Sequence, residues 1–255
     1  MACGDPAGAR CPDRFRNRAS GRTSRMGTPH TLLSGIVGST AYGLAREGSD
    51  IDRLGVFAVP TEELHGLRRP AETHVTRAPD STLHEAAKWC RLALAGNPTV
   101  LELVWLPDRL YETRTPLGDE LIGIRTAFVS GERVRRAYLG YATQQFKRLY
   151  DRGDGTFSVD ARHRTAKHAR HLRRLCHQGY TLYTTGRLEI EVDDPQAYFD
   201  FGERVARDAM AALPMLDDYQ DRFDRTASAL PDEPDEAPVE AWLRRVRRHF
   251  YGAGA

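Results

Sequence analysis

Asp50 and Asp52 stand one residue apart in Ser49-Asp50-Ile51-Asp52-Arg53-Leu54-Gly55, within a segment, Ser49–Val59, that reads as a strand. Alternate side chains of a strand leave the same face, so the spacing puts both carboxylates on one side of a sheet. Acids held side by side repel unless a cation lies between them. The usual cation is a hard divalent one, and Mg²⁺ is typically held by one or two carboxylates plus substrate phosphate oxygens. Eleven residues before Asp50, the Gly38-Ser39 turn follows an apolar strand, Thr31–Val37. Backbone N–H groups and a hydroxyl in such a turn suit phosphate oxygens. Together the two features describe phosphoryl chemistry on a nucleoside triphosphate. Either alone would describe only a strand–turn–helix with surface aspartates. A P-loop is excluded because no Gly-Lys-Ser/Thr follows the turn, and the three-glycine dinucleotide spacing is absent.

Gly38-Ser39, Tyr42-Gly43, Ser49, Asp50-Ile51-Asp52 and Gly55 resemble the signature of the DNA polymerase β-type nucleotidyltransferase superfamily. Three more segments make the chain similar to the predicted RNA-repair, RNA-ligase-associated subfamily. They are Lys88-Trp89-Cys90-Arg91-Leu92 running into Gly96–Leu103, then Lys167-His168-Ala169 with His171-Leu172 and Arg174-Leu175, and Gly186. The resemblance spans about residues 31–192. It implies two-metal transfer of a nucleoside monophosphate from ATP or another triphosphate to a hydroxyl, with Mg²⁺ or Mn²⁺ as cofactor. Asp50 and Asp52 would hold the metals, and Gly38 and Ser39 the β- and γ-phosphates. A neighbouring strand would supply a third carboxylate. Asp80 takes the place the subfamily pattern suggests, and Glu85 and Glu72 are the alternatives; Asp80 after Pro79 is also an ordinary turn residue. The implied acceptor is an RNA 3′ end, with an RNA ligase as partner. Two rivals stand beside that reading: an enzyme that adenylylates a protein or small molecule, and a non-catalytic nucleotide- or RNA-binding module lacking a properly placed third acid.

Residues 161–188 contain no acid. Lys167, Arg170, His171 and Arg174 recur at i, i+3, i+4 and i+7, one face of a helix, with Ala169, Leu172, Leu175 and Cys176 opposite. A solvated charged face is the plain reading. Like charges without compensating acids cost stability unless an anion is expected, however, and this favours contact with a triphosphate or an RNA backbone through Lys167 and Arg174. The four histidines of the segment are too irregular for a zinc site. Tyr42 could stack on a base or pack on the sheet, Asn97-Pro98 reads as a helix start, and Glu102 lies between two leucines.

The 255 residues carry 40% hydrophobic and 28% charged side chains with a net charge of +2, an ordinary globular composition with no global basic field. Four cysteines, Cys3, Cys11, Cys90 and Cys176, lack ligand spacing and fit free thiols in a reducing cytosol. The pattern predicts an α+β fold. A disordered basic tail (1–29) precedes a mixed-sheet core (30–125) of polymerase β type, as the resemblance implies. A helical region (130–255) follows. Ordered sequence begins just beyond Met26, a second candidate start. In the core, strands are expected near 74–76 and 81–84, with helices over Ser39–Arg46 and Glu85–Ala95 and one beginning at Thr61 as N-cap. In the helical region, helices are expected over Glu132–Tyr150, Ala161–Tyr183, Pro195–Leu213, Asp218–Leu230 and Val239–Phe250. One strand, Leu188–Val192, and a Pro-rich acidic linker, Pro231–Pro238, complete it.

Overall fold

The apolar run Leu32-Leu33 through Val37 builds β1 (His30–Val37), which lies second from one edge of a five-stranded sheet. The structure, a computed structural model, describes residues 30–151 and 159–252, so the expected tail at 1–29 lies outside the described residues. Strand β2 (Asp52–Ala58) pairs antiparallel with β1, Val37 opposite Asp52 and Gly35 opposite Leu54. Strands β3 (Thr73–Arg77) and β4 (Asp80–Glu85) form a hairpin, and β4 runs parallel to β2 with Ser81 beside Arg53. A short strand not expected from the sequence, β5 (Tyr111–Arg114), pairs with the other side of β1. The order is β3-β4-β2-β1-β5, a mixed sheet. Gly55 of central β2 has no room for a side chain. A Cβ there would lie 2.8 Å from the Leu33 carbonyl oxygen and 2.6 Å from Leu83.

Strand β2 starts three residues later than expected, leaving Asp50 and Ile51 exposed ahead of it. The helix after β1, α1, is a single turn (Gly38–Ala41). Helix α2 (Ala86–Leu94) buries Ala86, Trp89, Cys90 and Ala93, the residues its spacing aligns. Asn97 caps α3 (Pro98–Glu102) by accepting a hydrogen bond from the Val100 N–H at 3.2 Å. Thr61 caps no helix. It opens a 3₁₀ turn, and its hydroxyl donates to the Arg247 carbonyl at 2.6 Å. Helix α4 (Pro116–Gly123) completes the first half.

Two long helices, α5 (Gly131–Asp151) and α6 (Val159–Thr185), dominate the second half. His168 meets Gln145 while Gly179 abuts Tyr138, so the two run antiparallel. The expected helix Pro195–Leu213 ends early, as α7 (Pro195–Arg207), and the expected helix Asp218–Leu230 starts and ends five residues earlier, as α8 (Leu213–Arg225). Asp208, in an extended conformation, takes the Met210 N–H and breaks the run. Asp235 caps α9 (Glu236–His249), so this helix begins inside the expected linker. Leu188–Val192 is not a strand. Leu188, Ile190 and Val192 are buried in alternation, but their backbone bonds go to the Gln178 side chain and to the Tyr42 carbonyl rather than to a sheet. One apolar core runs from Leu32 through Trp89, Leu101, Tyr138, Leu172 and Phe201 to Trp242, so sheet and helices share it. Among the described residues no helix is long and apolar enough to cross a membrane. Cys90 and Cys176 are free and buried, and burial pushes both thiols up to about 12.

Candidate active site

The β1–α1 turn and the start of β2 meet because Val37 pairs with Asp52. Gly38 opens α1 with φ +71°, and a Cβ on it would fall 2.2 Å from Asp52 Oδ2. Glycine is therefore required twice, for the left-handed backbone and for the approach of the carboxylate. Ser39 is half-buried in that turn, and its carbonyl accepts the Leu44 N–H at 2.9 Å.

The sheet register places the three candidates for the third acid at different ends of the sheet. Because β4 runs parallel to β2 with Ser81 beside Arg53, Asp80 is level with Asp52. Glu85 is level with Phe57 at the opposite end. It is 3% exposed, caps α2 through the Ala87 N–H, and pairs with Arg247 at 2.6 Å. Glu72 precedes β3 at that same far end and pairs with Arg91 at 2.7 Å. Burial first, and then the charge of Asp80, raise the Asp52 carboxyl above its ordinary value. Lys167 opposes the shift and Asp50 adds to it. Three carboxylates thus share one field, and the cation in that field is Lys167, exposed on α6.

Among the described residues no group of three or more His, Cys, Asp or Glu side chains is gathered closely enough to hold a metal ion. What speaks for a divalent cation is the chemistry of the donors alone. Asp50, Asp52 and Asp80 offer hard oxygen ligands whose mutual repulsion a divalent cation would relieve.

Arg174, expected on the triphosphate, is placed elsewhere. It is 1% exposed, and its Nη1 donates to Glu102 Oε1 at 2.6 Å and to Gln178. Its Nη2 lies 3.0 Å from His171 Nδ1. The guanidinium sits 3.8 Å over the Tyr42 ring, and the Tyr42 hydroxyl donates to Glu102 Oε2 at 2.6 Å. The face that begins exposed at Lys167 therefore dives into the core one turn after Arg170, where Tyr42 and α3 cover it. Glu102 is 1% exposed, and a carboxylate so enclosed needs a cation. An acid between two leucines on one helix and an arginine among apolar neighbours on another are the sequence signal for this pairing. Tyr42 packs within it, so it is not a base-stacking platform. His171, flanked by Arg174, is held neutral: burial first, then the charges of Arg174, His168 and Lys167, lower it to about 3.

One cation of the site carried no sequence signal. Arg46, in the exposed loop after α1, lies 3.7 Å over the Phe199 ring of α7, and Arg170 of α6 stands 5.0 Å from the same ring. Burial and then Arg46 lower the proton affinity of Arg170, as expected for two like charges gathered with little compensation. A Cβ on Gly202 of α7 would come within 3.1 Å of Arg170 Cγ, so helix packing holds the Arg170 stem in place.

The model of a family described as the RNA repair pathway DNA polymerase beta family matches residues 17–206 of the chain. No curated protein matches it.

Proposed function

Since the chain belongs to the RNA repair pathway DNA polymerase beta family, we propose that it is a nucleotidyltransferase that moves a nucleoside monophosphate from a triphosphate to an RNA 3′ hydroxyl. The acceptor oxygen gives its proton to water and bonds to the α-phosphorus, the bond from that phosphorus to the bridging oxygen breaks, and pyrophosphate leaves. The observation that carries this reading is the shared field of Asp50, Asp52 and Asp80 directly beside the Gly38-Ser39 turn.

Each group has a role that follows from its position. The N–H groups and hydroxyl of the turn orient the phosphates, so that the α-phosphorus faces the strand end carrying the acids. Asp50 and Asp52 would hold Mg²⁺, with Asp80 on the acceptor side. Such ions polarise the phosphoryl oxygens and stabilise the attacking and leaving oxygens. Lys167 opposes the charge of the acids and neutralises phosphate oxygens. Arg170 and Arg46, next along α6 and across from it, take the distal phosphates. The buried Tyr42–Glu102–Arg174 contacts fix the turn to α6, which keeps the phosphate cradle and the lysine in register.

The test is Mg²⁺-dependent pyrophosphate release from each nucleoside triphosphate, with and without RNA bearing a free 3′ hydroxyl. Wild type is compared with the Asp50→Ala/Asp52→Ala variant. The expected result is RNA-stimulated release that the double substitution abolishes. Release that ignores RNA would move the acceptor to a protein or small molecule, and nucleotide binding with no release under any condition would leave a binding module.

A further inference from the structure

The cations of the α5–α6 pair fall into two populations. Near the start of α5 they are paired with acids: Arg133 with Glu233 at 3.1 Å, Arg135 with Asp224, and Arg136 with Glu132 at 3.5 Å. At the other end the arrangement changes. Lys147 of α5 and Arg162, Arg164 and Lys167 of α6 are all exposed, and no ion pair joins them to an acid whose side chain the structure describes. The antiparallel packing that sets His168 against Gln145 brings Lys147 alongside the first turns of α6. The sequence reinforces the division, since no acid occurs between Glu132 and Asp151 or between Asp160 and Glu189.

This exposed group is continuous with the candidate active site. Lys167 lies in the field of Asp52, and Arg164 and Arg162 precede it on the same helix by one turn and a little more. At 1.5 Å of rise per residue, Arg162 stands roughly 7.5 Å along the axis from Lys167, a step comparable to the separation of successive phosphates on a single strand. The triphosphate is served from the opposite direction, by the Gly38-Ser39 turn and by Arg46 and Arg170.

We infer that Lys147, Arg162 and Arg164 form the docking surface for the acceptor, an RNA strand bound through its ribose-phosphate backbone and handed past Lys167 to the acids. The inference rests on the nucleotidyltransferase reading above and deepens it by naming where its second substrate lies. Recognition through lysine and arginine alone positions a backbone without reading bases, so affinity follows salt and length rather than sequence.

Binding of a fluorescent single-stranded oligoribonucleotide, titrated in EDTA across a range of salt concentrations, tests this without requiring turnover. Each phosphate contact to a single strand contributes about 0.7 to the slope of log affinity against log salt. The Lys147→Gln/Arg162→Gln/Arg164→Gln variant should lose about 2 units of slope and bind about 10²-fold more weakly near 0.1 M salt. Its thermal stabilisation by nucleoside triphosphate should match wild type. A charge-matched control, Arg135→Gln/Arg136→Gln/Arg244→Gln, removes cations that are already ion-paired and should bind RNA as wild type does. Unchanged slope and affinity in the first variant would overturn the docking surface, as would equal loss in the control or no binding by wild type. The two readings fail separately. Turnover with RNA but an unaltered slope in the variant sinks the surface alone. A slope change without any turnover sinks the reaction and leaves the surface standing.

Discussion

Two places in this molecule bring unlike amounts of charge together, and they resolve it in opposite ways. At the buried junction of α3 and α6, Glu102 meets Arg174, the Tyr42 hydroxyl fills the second carboxylate oxygen, and Gln178 and His171 meet the guanidinium, whose Nε alone is left without a partner among the described residues. There the carboxylate and the guanidinium neutralise each other. At the open end of β2 and β4, burial and then the charges of Asp80 and Asp50 raise the cost of ionising Asp52, and Lys167 opposes them. The comparison separates charge that makes structure from charge kept for a partner. A carboxylate is informative about function when its surroundings leave it uncompensated, and Glu102, far more buried than Asp52, is compensated by Arg174 and Tyr42.

The contrast breaks most sharply on activity. Asp80→Asn should lower RNA-dependent pyrophosphate release by on the order of 10³-fold, the scale of several kcal/mol of transition-state stabilisation. Glu85→Gln, at the other end of the same strand, should leave turnover close to wild type and instead lower the melting temperature, because Glu85 caps α2 and pairs with Arg247. Steady-state release assays alongside thermal melts read both variants. Retained turnover in Asp80→Asn would remove it from the site. Asp52→Asn adds a sign that sharpens the point. Burial and its neighbours disfavour the ionised form, so without metal this variant should unfold at higher urea than wild type while losing activity.

Stability breaks the comparison from the buried side. Glu102→Leu strands the Arg174 guanidinium in the core, and Arg174→Met strands the carboxylate. Each should cost about 3–5 kcal/mol in urea unfolding, the usual penalty for an unpaired buried charge. The double substitution should recover much of that loss, since an apolar pair of similar volume has no charge to satisfy. Single costs near those of a surface residue would mean that the pair is not enclosed as described.

Much of this was legible in the sequence, and the failures share a cause. The turn and the acids were readable because a glycine, a serine and two aspartates have few other reasons to recur at that spacing. Their strand was readable too, though not its start. The periodicity of Leu188, Ile190 and Val192 was real and reported burial, but pairing needs a neighbour, and Gln178 and Tyr42 took the backbone groups instead. Strand β5 was missed because Tyr-Glu-Thr-Arg is short, polar and at an edge, with little apolar signal to show. Spacing correctly put Lys167 and Arg174 on one helical face. It could not show where along that face solvent ends, and this is decided by Tyr42 and α3, far away in sequence. The third acid needed register. Asp80 and Glu85 open and close the same strand, and only the parallel pairing with β2 tells which of them is level with Asp52.

The smallest expected effect concerns the border between the two regions, where His171 sits between exposed Lys167 and buried Arg174. Its pKa is lowered to about 3, so the folded protein keeps the ring neutral while the unfolded chain takes up a proton near the ordinary value of about 6.5. The depressed value means that the folded state binds fewer protons than the unfolded one between those limits, and stability must fall as the pH drops through that window. Above about pH 6.5 the two states agree and the contribution is flat. The steepest slope a single site can give is about 1.4 kcal/mol per pH unit, and partial exposure of the ring reduces it, so about 1 kcal/mol should be lost between pH 6.5 and pH 5. In His171→Gln the side chain can still accept from Arg174 and cannot take up a proton. The difference between wild type and variant in urea unfolding should therefore be small and constant above pH 6.5 and should shift toward the variant below it. Parallel curves down to pH 5 would place the ring in solvent, and the border between paired and unpaired charge would then lie one turn deeper along α6.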